Sequence, residues 1–446
     1  MARRLTREAR VQGTTLPLSD RHARLFTSVG ARLQLNVQVV HDSETRNDNI
    51  LDELLFLLFS HTSPGSTRDT LLKSLFSRLG PRGLAIRSLL APKANSSAYL
   101  QTLIDMRTGY AYIILSFTLI LIPCVSAVFT LKDLYTGQDF FNRWKWETFN
   151  DPTHGRVNYV DRDTARAKSL SYVSDSNTFV MRADNTSYVP SGSRGRDSVR
   201  ISSYDSYDES LIVLDVVHMP EGCSTWPAFW TLSGQGPWPK GGEIDIIEGV
   251  NLQQQNLASL HTTPNCVMPN ARYQTGSSAS NDCDASKNYN TGCNVAFSDD
   301  PYSYGHGFNS QGGGYYAMEK TKEDGVRIWF WARSDNNVPS EIKYPLAGGV
   351  VSPGPTWGAP SAHFPLGDNC DYDSHFNAHI MVFDLTFCGD WAGNVWSTSG
   401  CGVQSCTDYT MPRNLPVVDN NPSQFTNAYW EINSLSVYTP SSGWPF

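Results

Sequence analysis

Long helical patterns, basic stripes and internal repeats are missing from most of this 446-residue chain. Without clustered Lys and Arg nothing neutralises a row of phosphates, so nucleic acid is excluded as a partner. The lack of a fixed period excludes solenoids and propellers. No cysteine pair stands at zinc-finger spacing with matching histidines, which argues against structural zinc. No cofactor and no metal at the functional site is expected, and no ligand cluster compels a structural cation.

The charge that is present falls unevenly. Residues 1 to 127 carry 15 Lys+Arg against 9 Asp+Glu, which leaves 20 against 34 for residues 128 to 446. An acidic body suits a neutral polymer better than a polyanion. Cysteine divides at the same place. Cys124 lies in an apolar run, and Cys223, Cys266, Cys283, Cys293, Cys370, Cys388, Cys401 and Cys406 all fall downstream. An even number there predicts up to four disulfides in an oxidising compartment, with connectivity open. Cys266, Cys283 and Cys293 fall in one long loop region, and Cys401 with Cys406 in another. Bridges there are expected to hold loops more than core, so that reduction weakens substrate affinity before it unfolds the domain. Asn185-Thr186-Ser187 is a glycosylation acceptor, which fits a secretory route.

The dividing segment is MRTGYAYIILSFTLILIPCVSAVFTL, residues 106 to 131. From Met106 it has Arg107, an apolar stretch to about Ile122, a breaker at Pro123 and small residues Val125-Ser126-Ala127 before a cleavage point. That reads as a signal peptide over 106–127. Left uncut, residues 110–131 would instead form a signal anchor across a bilayer of about 30 Å. Either way the acidic part is expected outside the cytosol, and membrane contact only if the segment is uncleaved. Residues 1–105 show little sustained periodicity and are assigned no domain. They read as an extension of the gene model ahead of a true start at Met106.

From 128 to 446 short alternating runs recur between turn residues, among them SLIVLDVVHM, VRIWFWAR, HIMVFDLTF and YWEINSLSVY. The pattern predicts an antiparallel sandwich or barrel. Residues 265–315 are expected to be long loops that build a surface site.

One run breaks its own pattern. GGEIDIIEGV, residues 241–250, reads as a strand by its β-branched Ile244, Ile246 and Ile247, yet carries Glu243, Asp245 and Glu248. A flat strand would put Glu243 and Asp245 on one face and Glu248 on the other. A bulge between Asp245 and Glu248 returns the third acid to the face of the other two. Three acids on one surface repel one another, so the arrangement needs either solvent or a function. Trp226, Phe229, Trp230 and Trp238 precede them closely, and flat aromatic faces stack on the C–H faces of sugars.

WPAFWTLS followed by GEIDIIEGV and SLHTTPNC resembles glycoside hydrolase family 16, in particular fungal laminarinase-like endo-1,3(4)-β-glucanases. DPTHGRVNYV, TGCNVAFSDDPYSYGHGFNSQGGGYYAME, CGDWAGNVW and YWEINSLSVY extend the likeness over nearly all of residues 130–440, and nothing before Met106 shares it. The resemblance implies an all-β, concanavalin A-like jelly roll of two curved antiparallel sheets, with β-glucan lying across the concave face. It makes Glu243 the nucleophile, Glu248 the general acid/base and Asp245 the acid that hydrogen-bonds the nucleophile. His261, Trp230, Trp238 and Trp391 become substrate-binding residues. Retaining chemistry needs carboxyl groups about 5 to 5.5 Å apart with unlike pKa values. Repulsion from Glu243 and Asp245 is expected to raise that of Glu248, and hydrogen bonding to keep Glu243 ionised.

The expected protein is therefore a secreted, monomeric, retaining endo-glucanase of residues 128–446, acting on β-1,3 or mixed β-1,3/1,4 glucan. Two alternatives stand beside it: a membrane-anchored cell-wall remodelling enzyme, and a non-catalytic β-glucan-binding lectin.

Overall fold

The computed structural model describes residues 128–190, 192–345, 349–402, 405–406 and 422–441. The extension 1–105 and the signal segment 106–127 lie outside the described residues. In chain order the first strands are β1 (Phe129–Tyr135), β2 (Trp144–Trp146), β3 (Val157–Tyr159), β4 (Ser171–Val173), β5 (Phe179–Arg182) and β6 (Arg196–Ser198). Next come β7 (Arg200–Ser203), β8 (Ser210–His218), β9 (Thr225–Ser233), β10 (Glu243–Glu248), β11 (Leu257–His261), β12 (Ser277–Ser280) and β13 (Cys293–Ala296). The last are β14 (Gly314–Thr321), β15 (Gly325–Ala332), β16 (Val350–Val351), β17 (Ala362–Phe364), β18 (His379–Phe387) and β19 (Tyr429–Pro440).

Two large sheets result. One runs β12-β13-β11-β10-β9-β18-β7-β2, and the other runs β16-β1-β19-β8-β14-β15-β17 with β5 and β4 joined to β19. Every ladder within them is antiparallel; β3 and β6 form a small parallel pair apart. The main core lies between the sheets, where Phe229, Ile244, Met381 and Phe383 of the first meet Ile212, Leu214, Leu435 and Val437 of the second. The second sheet is buried on its outer face as well, by a cluster in which Leu211 and Val213 join Trp329, Trp331 and Trp357. That is why SLIVLDVVH is apolar almost throughout instead of alternating. The outer face of the first sheet is the one left for polar side chains, and it carries the acids.

Two expectations change here. The end of the apolar stretch 110–131 lies within the described residues: Phe129, Thr130 and Leu131 belong to β1 and pair with β19. Phe129 is fully buried, so its apolarity serves the sandwich. Among the described residues no helix is long and apolar enough to cross a membrane. Residues 265–315 are not simply loop: β12 and β13 extend the site sheet past β11, and a short helix covers Gly305–Ser310.

The second change concerns the cysteines. All eight are paired, as Cys223–Cys401, Cys266–Cys370, Cys283–Cys293 and Cys388–Cys406. The Cys266–Cys370 and Cys283–Cys293 bridges do not merely hold loops, since all four sulfurs' residues are buried in the main core. Reduction is thus expected to unfold the sandwich instead of first loosening substrate. Cys266–Cys370 spans 104 residues against 10 for Cys283–Cys293. On the loop-entropy account the longer bridge contributes about 4 to 5 kcal/mol and the shorter less than about 3 kcal/mol. Urea unfolding of the Cys266→Ser/Cys370→Ser double variant checks this, and a loss below that of the shorter bridge's double variant would refute it.

Candidate active site

Strand β10 begins at a turn that only glycine fits. Gly241 and Gly242 both have φ near +80°, and a Cβ on Gly242 would meet the Phe376 ring at 2.6 Å. His379 holds this turn from the core side: its Nε2 lies 2.7 Å from the Gly241 carbonyl oxygen, and its Nδ1 lies 2.9 Å from Thr231 Oγ1. Beyond the turn, Glu243 stands opposite Leu232, Asp245 opposite Trp230 and Glu248 opposite Ala228 of β9. Those partners step by two along a regular strand, so all three acids share a face. The extra residue is Ile246, in a bulge between Asp245 and Ile247. Ile244, Ile246 and Ile247 all bury in the main core. The bulge read from the sequence is present, and the acids occupy the face that the core does not use.

Neighbouring strands complete the site. On β11, His261 faces Glu243, and its Nε2 lies 3.4 Å from Asp245 Oδ2. Its other nitrogen meets Asn290 Oδ1 at 2.9 Å, in a segment where Asn288, Tyr289 and Asn290 are all left-handed. Gly292 follows because a Cβ there would come within about 3 Å of the imidazole. On β9, Trp226 Nε1 donates to Glu248 Oε1 at 2.8 Å, and Trp230 Nε1 donates to Asp384 Oδ1 at 3.0 Å. Trp238 Nε1 donates to Glu243 Oε2 at 2.7 Å from an exposed ring. Trp391 meets the Trp226 ring edge-on at 5.7 Å.

Glu243, Asp245, Glu248, His261, Trp226, Trp230, Trp238 and Trp391 thus lie on or beside one face, whereas Phe229 is buried in the main core and offers no surface to a sugar. Asp384, Arg200 and Asn290 had no role assigned and belong to the same face. Asp384 on β18 faces Arg200 on β7, with Arg200 Nη1 3.6 Å away and the guanidinium 5.0 Å from the Trp230 ring centroid. One signal was available for Asp384. HIMVFDLTF, like GGEIDIIEGV, sets an acid inside an otherwise largely apolar run.

The electrostatics separate the acids by environment. Burial first, then the Asp245 charge, pushes the Glu248 carboxyl well above its ordinary range against the pull of the Trp226 hydrogen bond. Burial, not repulsion, is therefore the leading cause, which corrects the sequence expectation. Glu243 is pushed up to about 8 by burial and by Asp245, and His261 and Trp238 only partly offset this. Hydrogen bonding alone does not keep it ionised. Both carboxyls are thus held above their ordinary range by burial, and as a coupled pair they titrate together. His261 is opposed by burial yet lifted to about 10 by the Asp245 carboxylate and the Glu243 charge. Asp245 was expected to hydrogen-bond Glu243. It pairs with His261 instead, and the bond to Glu243 comes from Trp238.

Two chemical consequences follow. Glu243, Asp245 and His261 offer ligand atoms within 4.8 Å of one another, and among the described residues no other such group occurs. A cationic imidazole opposes a metal there, because a metal needs the neutral ring. Two buried carboxyls of raised pKa on one face, Glu243 and Glu248, instead suit acid and nucleophile chemistry. Trp226→Phe deletes a bond that favours ionised Glu248, so that carboxyl should rise further. The basic limb of kcat/KM is then expected to move to higher pH, and an unmoved limb would detach Trp226 from the proton donor.

The comparisons with known proteins agree with this geometry. Residues 144–438 match the family model described as XgeA-like, catalytic GH16 domain. A probable glycosidase of Schizosaccharomyces pombe is 42% identical over 315 residues, covering 70% of this chain and 69% of the relative. The endo-1,3(4)-beta-glucanase xgeA of Emericella nidulans is 38% identical over 312 residues, which are 70% of this chain and 47% of that protein. The chain thus spans about half the length of such curated glucanases. Among solved structures, laminarinase 16A of Phanerochaete chrysosporium with 6-O-glucosyl-laminaritriose in donor and acceptor sites is 46% identical. It has a TM-score of 0.65 and covers 70% of this chain and 100% of that one. An elongating family 16 beta-1,3-glucosyltransferase is 39% identical with a TM-score of 0.61 over the same shares. With the acids, the jelly roll and these matches in agreement, the chain belongs to glycoside hydrolase family 16, and residues 144–438 are its XgeA-like catalytic domain.

Proposed function

We propose that the chain is an endo-acting β-glucan hydrolase that cleaves β-1,3 or mixed β-1,3/1,4 linkages with retention. The observation that carries the reading is the bulged strand, which turns Glu243, Asp245 and Glu248 to one face, where burial raises the pKa of both glutamates. In this reading Glu248 gives its proton to the glycosidic oxygen as the C1–O bond breaks, and Glu243 forms a bond to C1. Water then attacks the glycosyl-enzyme, its proton passes to Glu248, and Glu243 leaves with the anomeric configuration restored. Asp245 and His261 pair beside the nucleophile, and the His261 charge partly offsets the rise in its pKa that burial and Asp245 cause. Trp230, Trp238 and Trp391, with Trp226, offer ring surface to the polymer.

Four disulfides in the domain support an oxidising, extracellular location. Release of reducing ends from laminarin, with NMR of the first-formed anomer, tests the reading; an α-anomer as first product would exclude retention. The lectin alternative fits poorly with a chain that keeps both glutamates. A remodelling enzyme is favoured by one observation, the likeness to the elongating glucosyltransferase. Products longer than the supplied laminari-oligosaccharide would select it over hydrolysis.

A further inference from the structure

A bulge has a cost that the sheet must meet. It breaks the ladder and leaves peptide groups unpaired, here within the strand that carries the acids. On the β11 side the pairing of β10 stops at Asp245 opposite Ser259. Past that point the peptide groups of Ile246 and Glu248 have no strand partner there. Both are met by one side chain: Asn256 Nδ2 donates to the Ile246 carbonyl oxygen at 2.8 Å, and Asn256 Oδ1 accepts from the Glu248 N–H at 2.9 Å. An amide is the one side-chain group able to present donor and acceptor together as a peptide does.

The clamp is itself fixed. Asn256 is completely buried, its N–H donates to Ser303 Oγ at 3.1 Å, and its carbonyl accepts from the Phe297 N–H at 2.9 Å. The next residue after Ser303, Tyr304, lies under Gly249, where a Cβ would meet its ring at 2.6 Å. The bulge is thus held from the β11 side at the step that decides which face Glu248 takes. A one-residue slip would send that carboxylate to the other face.

We propose that Asn256 is a positioning residue for Glu248: its amide takes the place of a strand across the bulge and holds the acid/base on the reaction face. The inference rests on the reading of Glu248 as proton donor. It also makes a demand that a merely stabilising hydrogen bond does not. Loss of the clamp should impair proton donation specifically, so the damage depends on the leaving group.

The experiment compares Asn256→Leu and Asn256→Asp with Glu248→Ala on two substrates, laminarin and a dinitrophenyl β-laminaribioside whose leaving group needs no proton. Azide is present with the aryl glycoside so that release from the glycosyl-enzyme does not depend on Glu248. Asn256→Leu should lose about 10²-fold in kcat on laminarin, with KM little changed, while the aryl glycoside is cleaved near the wild-type rate. Asn256→Asp keeps the acceptor for the Glu248 N–H and should fall between Leu and wild type. If Asn256→Leu does not fold, Asn256→Asp carries the same leaving-group test. Equal losses on both substrates, or wild-type rates on laminarin in a folded variant, would overturn the proposal. If Glu248→Ala itself shows no leaving-group dependence, the proton-donor reading falls and this proposal falls with it. If only Glu248→Ala shows it, the proposal alone is wrong.

Discussion

Glu243→Gln is expected to reduce glucan hydrolysis by about 10⁴-fold or more, the scale of losing a nucleophile, while leaving the fold and glucan binding in place. The amide has the shape of the carboxyl and still accepts the Trp238 indole N–H, so the loop beside it need not move. It has no charge with which to attack C1. It also removes one of the charges that lift the Glu248 carboxyl and the His261 imidazole, so both should fall toward their ordinary ranges. Isothermal titration with laminari-oligosaccharides should give near wild-type affinity. Turnover within tenfold of wild type would remove Glu243 from the mechanism.

The second large effect is Glu248→Ala, which should lower kcat on laminarin by about 10² to 10⁴-fold, the usual contribution of a general acid. Azide should restore cleavage of an activated aryl glycoside, because the leaving group needs no proton and the small anion attacks the glycosyl-enzyme where water lacks its base. The product should be the β-glycosyl azide. An α-glycosyl azide would mean that the anion entered from the face opposite the leaving group in a single step. The roles of Glu243 and Glu248 would then have to be exchanged.

The pH dependence of the wild type follows from the same two groups. The acid limb of kcat/KM reports ionisation of Glu243 and the basic limb loss of the Glu248 proton. Both carboxyls are raised by burial, so the whole profile should sit above the range of exposed carboxylic acids. Charges near Glu243 act on the acid limb in opposite directions. Asp245 raises its pKa, whereas His261 and Arg200 lower it.

How much of this was readable in advance depends on whether a property is local. The strand and its three acids were legible because alternation is a property of neighbouring residues, and so was the bulge, since i, i+2, i+5 spacing admits no flat alternative on one face. The eight cysteines were legible as a count, for parity needs no coordinates. Their partners were not, because Cys266 meets Cys370 across 104 residues and only the closed sandwich brings them together. Arg200 is an ordinary basic residue in the sequence. It enters the site because β7 pairs with β18 and sets it opposite Asp384. Asn256 precedes β11 without any motif, and its amide matters only where the ladder stops. The raised pKa values of Glu243 and Glu248 also waited on the fold, because burial, the largest cause of both shifts, is a property of packed sheets. By itself the sequence determined the strand pattern, the acids and their spacing. The tertiary structure decided what faces them, which is what sets their charge.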